Sequence, residues 1–202
     1  MQRLPAIWFG VARHWLLGVN VAAGLFVGGA VLAPLLSLAG FERAADALYA
    51  LYHAACHQWA FRSFFLFGAQ AVYGRDELLA LGVDPFSFVG EAESGWKIAV
   101  CERDLAIYAS VFGFGLLYAR SRDLRPLSFP LYACFVAPMA LDGFTQLFGW
   151  RESTWELRLL TGMLFGLASG WLVYPRLDAW LRAAPSYPPE PVCAAAPPSL
   201  TG

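Results

Sequence analysis

Long apolar runs separated by short charged segments set the pattern of this chain. A helix rises 1.5 Å per residue, so about 20 apolar residues cross a bilayer core. The first such run is Trp15 to Leu38, entered after Arg13 and His14 and left before Glu42 and Arg43. Its length, with no cleavage context, reads as an uncleaved anchor rather than a signal peptide. The second begins near Ile98 and is continuously apolar from Leu105 to Ala119, after Glu102, Arg103 and Asp104. The third is Leu127 to Trp150, with Pro130 and Pro138 inside. The fourth is Leu159 to Tyr174, with an amphipathic turn or two to about Leu181. The pattern predicts an all-α fold: a polytopic membrane helical bundle of about four transmembrane helices.

The segment between the first two runs has another character. Phe41 to Ala60 reads as a helix, with Leu48, Leu51, Tyr52 and Ala55 at helical spacing. Phe64 to Tyr73 reads as a strand or extended segment, and Gly74 to Gly95 is acidic and rich in turn formers. Residues 39–97 are therefore expected to form an extracytoplasmic helix and loop cap. A rival reading makes Ala44 to Ala60 a fifth span. Residues 1–183 form a single membrane domain, and 184–202 a Pro- and Ala-rich tail expected to be disordered.

Composition supports the membrane reading, because 58 % of the residues are hydrophobic and only 14 % charged. A net charge of −1 gives no basic field for nucleic acid. The partner implied is the lipid bilayer, and no protein partner is legible. Arg3 and Arg13 precede the first run, Arg120, Arg122 and Arg125 surround one Asp123, and Arg176 and Arg182 follow the last run. The positive-inside rule puts all three segments in the cytoplasm. The expectation is a multi-pass protein of the inner (plasma) membrane with both termini cytoplasmic.

That topology collects the remaining polar residues at the outer face. "ALYHAACHQWAFRS", residues 50–63, contains His53, Cys56 and His57, which would share one helix face. Imidazole and thiolate suit zinc, iron or copper. The expected ligands are His53, Cys56, His57 and Cys101, with Asp142 a further ligand or a partner behind them. Metal and disulfide compete for the same sulfurs: a Cys56–Cys101 bond would pin the cap to the second span. Gln58, Arg62, Ser63, Arg103, Asp104, Gln146, Arg151, Ser153 and Arg158 form the supporting polar cluster. Asp142 is a carboxylate inside a span, so it needs a partner, from Arg103, Arg151, Arg158 or a bound cation. Gly143 beside it would admit a close backbone. Ser153 and Glu156 fit a capping box, and Gly162, Gly166 and Gly170 a helix-packing seam. Cys134 and Cys193 suggest no role, and no P-loop, dinucleotide fingerprint, GxSxG or HExxH motif is present.

Three blocks, "YHAACHQWAFRSFFLFG", "VCERDLAIYAS" and "PMALDGFTQLFGWRESTWELRLLTGMLFG", resemble the signatures of the DUF2085 family of uncharacterised prokaryotic integral membrane proteins. The resemblance runs from about His53 to Gly170. It implies membrane location and a polar outer cluster, and supplies no activity. In many members the second block resembles C-x-R-C, so Asp104 stands where they have a second cysteine. That replacement weakens a cysteine-rich metal site or a local CxxC pair, unless Asp104 serves as an oxygen ligand. The insertion between Arg62 and Cys101 is longer than usual. The functional expectation is an outer-face His/Cys metal-binding or redox site. The alternatives are a thiol–disulfide/quinone oxidoreductase, or a noncatalytic assembly subunit with a structural Cys56–Cys101 disulfide.

Overall fold

Three glycines set the distance between the two central helices. In the computed structural model, which describes residues 4–183, α4 (Glu102–Arg120) packs along α6 (Trp155–Ala183). A Cβ on Gly162 would lie 2.8 Å from the Arg103 carbonyl oxygen, and one on Gly166 only 2.5 Å from that of Ile107. One on Gly170 would meet the Phe114 ring at 2.7 Å. The seam expected from the glycine spacing is therefore a real contact, and it admits no side chain at these positions. The long α1 (Leu4–Leu38) packs on α4, and α5 (Phe129–Leu147) packs on α6.

Among the described residues, two helices are long and apolar enough to cross a membrane, Ala12–Leu38 within α1 and Trp155–Ala183. The outward faces stay apolar: Leu25 is 71 % and Leu147 76 % exposed. Water penalises such faces and hydrocarbon does not. The buried groups cluster at the two ends. Trp15, Leu16, Phe114, Tyr118 and Tyr174 pack at one, and Ala30, Ala33, Tyr49, Tyr52 and Cys56 at the other, with Ile98 to Val100.

The cap follows α1. It holds α2 (Glu42–His53), a 3₁₀ turn over Ala60–Arg62, β1 (Phe65–Leu66), α3 (Arg75–Ala80), β2 (Gly90–Glu91) and β3 (Gly95–Lys97). The strands pair antiparallel in the order β1-β3-β2, with Phe65 opposite Lys97 and Gly90 opposite Trp96. A small core of Ala60, Phe61, Phe65, Tyr73 and Leu78 fills it. The extended segment expected at 64–73 contributes only the two residues of β1 to the sheet, and the turn-rich 74–95 segment holds α3, β2 and the first residue of β3.

The expected helix over 41–60 is shorter than its pattern. It ends at His53, because Gln58 turns back and its Nε2 donates to the Tyr49 carbonyl at 2.8 Å. Gln58 adopts φ 54°, which reverses the chain there. At 12 residues, α2 reaches roughly 18 Å and cannot span a bilayer core. The capping box also falls differently. Thr154 Oγ1 accepts the Leu157 amide at 3.4 Å, while the Ser153 hydroxyl goes to Asp142. Around Gly143 an added Cβ would meet nothing within 4 Å, so no backbone approaches it. The tail at 184–202, with Cys193, lies outside the described residues.

Candidate functional site

Cys56, Cys101 and Asp104 meet where the cap joins the bundle. Cys56 lies three residues beyond the end of α2, its amide still bonded to the Tyr52 carbonyl at 3.0 Å. From β3 the chain runs through buried Ile98, Ala99 and Val100, tied by Ile98 N–H to the Phe64 carbonyl (2.7 Å) and Ala99 N–H to that of Ala30 (3.1 Å). That anchored segment delivers Cys101 as the N-cap of α4, its sulfur accepting the Asp104 amide at 3.4 Å. The Cys101 amide in turn donates to Cys56 Sγ at 3.3 Å. The two sulfurs and an Asp104 carboxylate oxygen all lie within 4.8 Å of one another. Among the described residues this is the one such grouping of three His, Cys, Asp or Glu side chains.

The thiols differ in acidity. Two thiolates side by side repel, so the pair gives up one proton readily and holds the second. Cys56 takes the lowered pKa, chiefly because it receives the hydrogen bond of Cys101, and Cys101 is pushed well up as the donor. Lys97 is buried beside them and close enough to feel the Cys56 charge, yet burial still brings its pKa down to about 8. Its Nζ donates to the Gln58 carbonyl at 2.6 Å, and its own carbonyl accepts the Tyr49 hydroxyl at 2.5 Å. Nothing in the sequence singled out Lys97. Its one signal was a lone lysine beside the otherwise apolar run "IAVC".

The histidines expected as ligands lie elsewhere. His53 is the last residue of α2 and His57 follows Cys56, and both are exposed and outside the sulfur–carboxylate group. The shared helix face required a helix continuing to Ala60. Because α2 stops at His53, Cys56 turns inward while its neighbour faces out, the His57 ring standing edge-on to Trp59 at 5.8 Å.

Asp142 also stands apart from the thiols, at the centre of an ion-pair node. Its Oδ1 accepts Arg151 Nη2 at 2.6 Å. Its Oδ2 accepts Arg103 Nη2, Gln146 Nε2 at 3.0 Å and Ser153 Oγ at 2.9 Å. A carboxylate offers about four acceptor positions, and these donors take them. Beside the node, Arg158 Nη1 pairs with fully buried Glu102 at 2.8 Å, and Nη2 donates to the Ser153 carbonyl at 2.6 Å. Glu102, one of three charged residues at the start of the second apolar run, carries no sequence signal of this pairing. Arg62 lies over the Trp59 ring at 4.8 Å and reaches Glu152 at 4.0 Å, while the Ser63 hydroxyl bonds the Trp59 carbonyl at 3.0 Å. Of the expected supporting cluster, Arg103, Gln146, Arg151 and Ser153 thus meet at Asp142 on α5. Asp104 lies with the thiols, Arg158 pairs with Glu102, and Gln58, Arg62 and Ser63 bond within or beside the cap.

The family described as "Predicted membrane protein (DUF2085)" matches residues 92–172, which hold Cys101, Asp104, Asp142 and Arg158 but not Cys56. A protein of Methanocaldococcus jannaschii, named only as uncharacterised, is 33 % identical over 131 residues, covering 63 % of this chain and 67 % of the relative. The chain belongs to the DUF2085 family. A second uncharacterised protein, from Methanothermobacter thermautotrophicus, is 38 % identical over 78 residues, 36 % of this chain and 67 % of that protein. No solved structure matches. Membership makes this a predicted membrane protein in contact with lipid, with two candidate spans.

Proposed function

We propose that the chain is a four-span membrane protein, termini cytoplasmic, that holds one zinc ion between Cys56, Cys101 and Asp104 on its outer face. The observation that carries this reading is the convergence of two sulfurs and a carboxylate oxygen within 4.8 Å, from parts of the chain far apart in sequence. Around a tetrahedral zinc with Zn–S bonds of about 2.3 Å, two sulfurs stand roughly 3.8 Å apart, so a small contraction of this group completes the geometry. Two thiolates and a carboxylate bring three negative charges against the metal's two positive ones, and Lys97 sits where it offsets the excess. Asp104, at the position where the family pattern has cysteine, fits a site that keeps its ligand count while exchanging sulfur for oxygen. Three protein ligands leave a fourth position for water or an exchangeable ligand, the arrangement of a reactive rather than a purely structural zinc. The chemistry such a zinc supplies is polarisation of a bound oxygen or acidification of a bound water. What this chain's residues supply is the anionic cage, the neighbouring Lys97 charge, and shielding from water by the packed segment Ile98 to Val100.

The four-span part rests on the lengths of α4 and α5, 19 residues or about 28 Å each, and on Arg120, Arg122 and Arg125 in the short α4–α5 loop with Arg176 and Arg182 near the end of α6. A second reading is favoured by the unequal acidity of the two thiols: a redox dithiol, with Cys56 the attacking thiolate. Cobalt(II) separates them. Reduced metal-free protein should develop a sulfur-to-cobalt charge-transfer absorption, lost in Cys56→Ala and in Cys101→Ala and weakened in Asp104→Asn. Fully reduced wild-type protein that takes up no cobalt would contradict the metal reading. Thiols that change redox state with the quinone pool would then support the dithiol.

A further inference from the structure

At the opposite end of the bundle the loop between α4 and α5 closes over the last turns of α6, leaving a cavity of about 480 Å³. Four arginines line it, Arg122, Arg125, Arg176 and Arg182, against two aspartates, Asp123 and Asp178. The surplus of two positive charges lies beside an apolar floor that includes Pro175.

The arginines are held in place. Asp178 is buried and accepts Trp15 Nε1 at 3.2 Å, the Tyr118 hydroxyl at 3.4 Å, Arg122 at 3.5 Å and Arg182 at 2.5 Å. Its acceptor positions are therefore occupied within the protein, and it fixes two guanidiniums at the rim. Arg176 is fixed by the carbonyls of Leu172 (2.7 Å) and Leu127 (2.8 Å). A guanidinium has five N–H donors, so each keeps several for a ligand. The level of the cavity is marked by tryptophan. Trp171 Nε1 donates to the Arg125 carbonyl at 2.9 Å, and Trp15 reaches in from α1. Such half-apolar, half-polar rings settle at the boundary of hydrocarbon and water. Just beyond, Val173 and Leu167 on α6 are exposed, as a surface touching acyl chains would be.

We infer that this cavity binds the phosphate of an anionic glycerophospholipid headgroup, clamped by the arginines, with its acyl chains lying along the apolar face of α6. The site is independent of the thiol group and would survive its loss. A free phosphate shares the headgroup chemistry but has no use for the apolar floor or the tryptophan level, and this favours the lipid.

The test titrates phosphatidylglycerol into the detergent-solubilised full chain and reads binding by native mass spectrometry and by tryptophan fluorescence. Saturable binding is expected, with none for phosphatidylcholine. Arg122 and Arg125 are exposed, so R122Q/R125Q should fold, and it should bind about 25-fold more weakly, at a factor of about five per arginine. R43Q/R75Q, which removes the same charge from exposed positions in the cap, should bind as wild type. Equal binding of phosphatidylcholine, or equal weakening in R43Q/R75Q, would overturn the inference. So would displacement of phosphatidylglycerol by millimolar inorganic phosphate, which would make the site one for the free anion.

Discussion

Asp142 takes four hydrogen bonds from four different side chains while only 2 % of its surface is exposed. Two of the donors are arginines, so neutralising the carboxylate leaves cationic groups poorly matched in a partly buried site. Breaking such a pair from one side costs about 3–5 kcal/mol. Asp142→Asn should therefore lower the thermal midpoint of the detergent-solubilised protein sharply, and Arg103→Met in the same chain should recover part of the loss. An Asp142→Asn protein as stable as wild type would show the node to be dispensable. The need for a partner was legible, because a carboxylate inside an apolar run requires one, and Arg103 and Arg151 stood among the candidates. Arg158 did too, but it belongs to Glu102. That assignment depends on how the start of α6 docks on α4, which no local pattern encodes. The cysteine pair was legible for the same reason of polarity out of place. The histidines misled because their spacing fits a helix face only while the helix continues.

At the scale of elements, the contact between α4 and α6 positions both ends of the molecule, carrying Cys101 and Asp104 at one and the arginine cavity at the other. Gly166 faces the Ile107 carbonyl so closely that Gly166→Ala must push the helices apart, a change costing about 1–3 kcal/mol. Gly143→Ala has open space and a helical backbone, and should be neutral or stabilising by up to about 1 kcal/mol. Thermal unfolding of the two variants in detergent should order them that way, and the reverse order would contradict the packing described. The seam was visible as a repeat of glycine every fourth residue. The end of α2 was not. Helical periodicity continues past His53 to Ala55, and what stops the helix is a non-local arrangement: Gln58 bonds back to Tyr49, and buried Lys97 from β3 holds the Gln58 carbonyl. The sheet was hidden in a different way, since strands of two or three residues carry no period to detect.

For the whole molecule, the proposed topology sets the cap and thiols on one side of a bilayer and the Arg120–Arg125 loop on the other. Alkaline phosphatase inserted at the exposed turn of Gly82 should be active in the periplasmic space of a bacterial host, and a fluorescent protein fused after Ala183 should fluoresce in the cytoplasm. An inactive phosphatase at Gly82 would reverse the topology. The apolar runs made the helical membrane class legible, since backbone groups in hydrocarbon must be paired within helices, while the sidedness rests on the loop arginines and is what the fusions test. The meeting of Cys56 with Cys101 and Asp104 needed the cap's fold, because it joins a turn after α2 to the first turn of α4. The most direct test of that junction is elemental analysis of protein purified without added metal or chelator. The proposed site requires one zinc per chain in the wild type, none in Cys56→Ala or Cys101→Ala, and full retention in Asp104→Cys. Wild-type protein without stoichiometric metal, or zinc retained after Cys56→Ala, would contradict it.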